Sequence, residues 1–131
     1  MRMLALPLAV LLLLSGRALA GVPDQQQEQD PKAKAESWIA QADSVKALVE
    51  SVIASAVEGG AEEHAVAKDQ VKDAQRWAAE GEKTLAAAKE ALEAEDYVKA
   101  GNMGNMAWQY YVKSGTAAVL AAKLVSGGKR R

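Results

Sequence analysis

The chain has no cysteine and no phenylalanine, one histidine, and no acidic residue beyond Asp96. Without thiols there is no disulfide and no zinc–thiolate site, so stability must come from packing. The candidates for soft-metal chemistry beyond position 20 are His64, Met103 and Met106. Aromatic residues are limited to three tryptophans and three tyrosines. Alanine is abundant, which suits closely packed helices because it has the highest helix propensity and lets helix axes approach.

Residues 1–20 follow the pattern of a cleavable secretory signal peptide: Arg2, then an apolar run over 4–14, then Ala18-Leu19-Ala20 as a small-x-small cleavage site. The run falls well short of the ~20 residues that span a bilayer, and Pro7 interrupts it. A secreted or periplasmic protein is therefore expected. The remaining length suits one domain.

Residues 24–30 are polar and low in complexity, which predicts a flexible tether over 21–30. Asp30 before Pro31 matches a helix start. A first helix is predicted over 31–57, with a heptad seam of Trp38, Ala42, Val45, Val49, Val52 and Ala56. Gly59-Gly60 ends it. A second helix over 61–94 carries the seam Ala67, Val71, Ala74, Ala78, Gly81, Leu85, Ala88 and Leu92. Asp96 is a candidate N-cap for a third helix over 97–125, followed by a basic tail over 127–131. The corner at 94–97 is read as a turn, with a kink as the alternative. Short connections make neighbours antiparallel, so the expected fold is all-α: an antiparallel, coiled-coil-like three-helix bundle after a cleaved signal peptide.

The third helix is unusual. Its polar residues Lys99, Asn102, Asn105, Gln109, Lys113, Thr116 and Lys123 fill an arc of only ~120°, and Ser114 is the one polar residue outside it. Gly101, Gly104 and Gly115 lie within it, each costing up to ~1 kcal/mol relative to alanine. Close packing against the alanine-rich second helix is the expected reason, with backbone approach to a ligand as the alternative. Charge is also divided: 97–131 carries six bases and no acid, whereas 21–96 carries 17 acids and 8 bases. A basic helix docked on two acidic ones is one reading; a basic, apolar element for an acidic partner or anionic lipid is the other. Nucleic acid is not expected as a partner.

Laid antiparallel, the predicted hairpins separate His64 from Met103 and Met106 by ~30 Å, which argues against a copper site. No cofactor or metal is expected, and no serine or carboxylate pair stands as a partner for His64, so the chain is not expected to be an enzyme. The pair Asp69/Asp73 and the cluster Glu90, Glu93, Glu95, Asp96 are read as solvated faces.

The same alignment sets Trp38 level with Gly81 and Gly81 level with Tyr110, with Trp77, Trp108 and Tyr111 within about one turn. This predicts an aromatic core layer with room made by Gly81, or an aromatic-lined cleft for an apolar ligand. It also leaves the hairpin of 89–104 overhanging the first helix, with Tyr97, Gly101, Met103 and Gly104 uncovered. Tyr97, Gly101, Met103, Gly104 and Met106 are then the expected contact surface for a protein partner or a second copy. The functions expected are an interaction module that binds itself or a partner through the third helix, a carrier of lipid or another apolar small molecule, or a protein that binds an anionic membrane surface.

Overall fold

The computed structural model describes residues 30–129, with side chains to residue 126. The signal-peptide pattern of 1–20 and all of the predicted tether except Asp30 lie outside the described residues. The chain forms helix α1 (Pro31–Glu58), one 3-10 turn (Ala61–Glu63), helix α2 (Ala65–Glu93) and helix α3 (Tyr97–Lys129). Among the described residues there is no strand. The fold is all-α, three helices packed against one another.

The two connections differ in kind. After α1, Gly60 takes φ of 100°, a conformation that costs glycine little. The chain then makes the 3-10 turn, in which the His64 N–H donates to the Ala61 carbonyl. His64 is extended and its Nδ1 accepts the Ala67 N–H at 3.2 Å, so this histidine caps α2. The helix was expected from residue 61; it starts at Ala65 because the four residues before it are used to turn the chain.

The second connection is a tight corner. The Asp96 N–H donates to the Ala91 carbonyl and the Glu95 N–H to the Leu92 carbonyl, the paired bonds of a Schellman ending. Its left-handed position, normally glycine, is held by Glu95 at φ of 65°. Asp96 then caps α3, its Oδ1 accepting the Lys99 N–H at 3.3 Å. The break is a turn, not a kink. At its far end α3 continues through Gly127 and Gly128 to Lys129, past the predicted end at 125. Glycine lowers helix propensity without breaking the hydrogen-bond ladder, and the turn below is anchored by buried Ala121 and Val125.

Helix α3 is the spine. Helix α2 runs antiparallel along it: Ala91 packs with Ala100, Gly81 faces the Tyr111 ring, Ala74 packs with Ala118, and Ala67 and Val71 pack with Ala121 and Val125. Helix α1 runs parallel to α3. Its partners keep one register, Ala35 with Gly101, Trp38 with Gly104, Val49 with Gly115 and Gly59 with Val125, each pair 66 positions apart. Helices α1 and α2 touch each other far less than each touches α3.

That arrangement accounts for the large apolar arc of α3. Two flanking helices that barely meet cover most of it from both sides, and what they leave is the polar arc together with Val98, Met106, Val112, Val119 and Leu120. Ser114, the polar residue outside that arc, is fully buried and donates to the Ala74 carbonyl at 2.6 Å. The same register corrects two expectations. The three α3 glycines meet α1, not α2. The predicted overhang of 89–104 does not exist, because the longer connection slides α1 along α3 until Pro31 is level with Tyr97. Gly101 lies on Ala35, and Gly104 is buried beneath Trp38 and Ile39.

Candidate functional site

The residues singled out in the sequence are distributed as follows. The aromatics form two pairs with Tyr111 between them: Trp38 and Trp108 at 5.7 Å and 60° on the α1 side of α3, and Trp77 and Tyr110 at 5.7 Å and 19° on the α2 side. Gly81 does make room for a ring, that of Tyr111, whose atoms lie 3.0 Å from where a Cβ would stand. The Trp77 ring also carries two cations, the Lys113 Nζ at 4.6 Å and the Arg76 guanidinium at 5.0 Å from its centroid. These rings are occupied with each other and with basic side chains rather than arranged around one opening.

Met103 is half-buried against the core that contains Ile39 and Tyr111, whereas Met106 is exposed and Tyr97 half-buried. His64 sits at the opposite end of the bundle, engaged as a cap. Among the described residues no group of three histidine or acidic side chains could hold a metal ion. No helix among them is long and apolar enough to cross a membrane.

Two of the concavities among the described residues are lined in part by α3. The larger, of about 530 Å³, is a groove between α1 and α3 lined by Leu48, Val49, Val52, Val112, Gly115, Thr116, Val119, Leu120 and Lys123. Leu48 is 66% exposed, and Val112, Val119 and Leu120 are also exposed. Gly115 opens it: a Cβ there would meet the Val49 side chain at 3.3 Å. The lining contains no carboxylate. Helix α3 has no acid anywhere, and α1 carries Ser44 and Ser51 one turn from Leu48 on this side and Ser55 two turns away. Two acids of α1 lie on its other side: Asp43 pairs with Lys89 of α2 at 3.2 Å, and Glu50 faces α2 across the second concavity.

That second concavity, of about 180 Å³, opens where α1 and α2 diverge above α3. Lys46, Glu50 and Ile53 form one wall, Gln75, Ala78, Ala79 and Glu82 the other, and Tyr111 closes the floor. Tyr111 is 1% exposed, and its hydroxyl has no hydrogen-bond partner among the described residues. Burial, and then the negative charges of Glu82, Glu50 and Asp43, push the phenol up to about 12 from its ordinary 10.

Neither concavity was foreseen as a site. The surplus of apolar residues on α3 pointed toward the groove, but its α1 wall depends on a register that the sequence reading missed. Compared with protein families, with curated proteins and with solved structures, the chain matches none.

Proposed function

We propose that the protein is an exported helical interaction module that docks a partner protein's amphipathic helix, acidic at its rim, in the groove between α1 and α3. The observation that carries this reading is the acid-free apolar groove itself. Exposed leucine and valine side chains gathered in one groove are the usual mark of an association surface. From Val112 to Lys123 the groove runs ~16 Å, about three turns of a docked helix, the length that i, i+4 and i+7 anchors occupy. Lys123 in the lining, with Lys99 and Lys113 elsewhere on exposed α3, favours an acidic partner and opposes a face-to-face pairing of two copies. Export rests on the pattern of residues 1–20.

A photo-crosslinker at position 120 of the full chain, expressed in its own host, tests the docking. One partner should be trapped, with the crosslink mapping to an acidic amphipathic helix and lost on Leu48→Glu. Crosslinking to a second copy, or to lipid alone, would overturn the reading. So would a partner that Leu48→Glu leaves in place. The amino terminus of the exported protein should be Gly21 by mass spectrometry.

A further inference from the structure

We infer that the docked helix continues past Val112 toward the corner at 94–96, over Trp38 and Trp108, and that this upper half of the seam selects the partner's sequence. The inference rests on the docking reading above. Seven residues, two turns, before the groove lining stand Gln41 above Leu48, Asn105 above Val112, Trp108 above Gly115 and Gln109 above Thr116. The face is therefore continuous, and what changes along it is its floor. Gly115 opens the lower half, whereas Trp108 and Trp38 stand half-buried on the upper half with ring centroids 5.7 Å apart. A helix lying on both halves must place a large apolar side chain over Gly115 and, seven residues away, glycine, alanine or serine over the two rings.

The polar groups of the upper half narrow the choice further. The Gln109 Nε2 donates to the Asn105 Oδ1 at 3.1 Å, and the Gln41 Nε2 to the Ser37 Oγ at 3.3 Å. These bonds leave the Asn105 side-chain N–H groups and the side-chain carbonyls of Gln41 and Gln109 to water. A docked helix that covers them needs an amide or hydroxyl of its own at that level, because an apolar residue there would strand them. Lys34, one turn before Trp38, marks the upper end of the face as Lys123 marks the lower. In the register that sets Ala35 on Gly101, Lys34 is level with Ala100, so ~35 Å of α3 separates the two lysines. The occupant is thus an amphipathic helix of about six turns, acidic at both ends and small and polar where it crosses the tryptophans.

The test places photo-crosslinkers singly at positions 41 and 120 of the full chain in its own host. Both should reach one helix of one partner, at points about 13 residues apart, because position 41 is level with Ala107. A synthetic peptide of that helix should bind the purified protein and shift its tryptophan emission. Changing the peptide's small residue opposite the tryptophans to leucine should weaken binding at least tenfold, while the same change on its outward side should not. Asn105→Ala should weaken binding by about tenfold, the loss of one good hydrogen bond, and alanine keeps the helix intact. Trapping at 120 but not at 41, or of a different chain at 41, would overturn the extension and leave docking in the lower groove standing. A peptide that accepts leucine over the tryptophans, or is indifferent to Asn105→Ala, would overturn it too. No trapping at 120 would instead overturn the docking reading itself, and the extension with it.

Discussion

The two sides of α3 are packed by opposite rules. Toward α2 the spine offers bulk where Tyr111 lies over Gly81, and elsewhere small residues stand on both members, Ala91 with Ala100 and Ala74 with Ala118. Toward α1 the spine offers backbone and its neighbour offers bulk: Trp38, Ile39 and Val49 lie over Gly104 and Gly115. A helix flanked by two partners that hardly meet can bring both axes close only if small residues stand on one member of each seam. Here glycine stands on α2 beneath Tyr111 and on α3 beneath Trp38 and Val49. The glycines of α3 are also unequal among themselves, since a Cβ at Gly104 would meet the Trp38 Cβ at 3.0 Å and the Ile39 backbone nitrogen at 3.2 Å, whereas at Gly101 the nearest atom is 3.7 Å away.

Breaking the tight half of the α1 seam should have the largest effect. Gly104→Val forces a branched side chain against backbone that cannot yield, and thermal unfolding should record a loss of about 3 kcal/mol. A variant as stable as the parent would show that the seam opens freely.

The α2 seam is probed by alkali. The Tyr111 phenol ionises near pH 10 when unfolded and near 12 when folded, so the fold favours the neutral form. Its contribution is complete below pH 10 and is lost as the pH rises from 10 to 12, by about 2 kcal/mol. Lysines titrate in the same range, so the measurement is the difference between the parent and Tyr111→Phe in chemical denaturation at pH 9 and pH 12. Equal pH dependence in the two would remove Tyr111 as the cause.

The corner that sets the α2 register holds Glu95 in a left-handed conformation, and Glu95→Gly should raise stability by about 1 kcal/mol. The smallest effect is expected at the roomy half of the α1 seam. Gly101→Ala meets Ala35 at ordinary contact distance and gains helix propensity, so it should stabilise by about 0.5 kcal/mol. If it destabilises as Gly104→Val does, the two halves of the seam are not different.

Much of this fold is written locally. Gly59-Gly60 and Asp96 mark their turns, and the predicted α2 seam is buried at Ala67, Val71, Ala74, Gly81, Leu85 and Ala88. The α2–α3 register was legible to within one residue, with Tyr111 rather than Tyr110 on Gly81, because a corner this tight leaves no slack. The α1 register was not legible. Ala61, Glu62 and Glu63 look like the first turn of a helix, yet Gly60 sends them into a 3-10 turn and the cap falls to His64, a residue with little capping preference. A shift of a few residues there moved the whole α1 wall. The sequence therefore announced that α3 had apolar surface to spare while concealing that Leu48 and Val52 would complete a groove with it. The Tyr111 cleft was hidden for the same reason, since it exists only where α1 and α2 part.

The parallel pairing of α1 with α3 has a consequence for the order of assembly. The contacts in that seam join positions 65 or 66 apart, whereas the corner at 94–96 brings Ala91 to Ala100 across nine. Loop closure favours the short connection, so the α2–α3 hairpin is expected to form first and to receive α1 afterward. Native-state hydrogen exchange should then show α1 amides opening as a unit at lower free energy than those of α2 and α3. The glycine seam would be the line along which the protein comes apart.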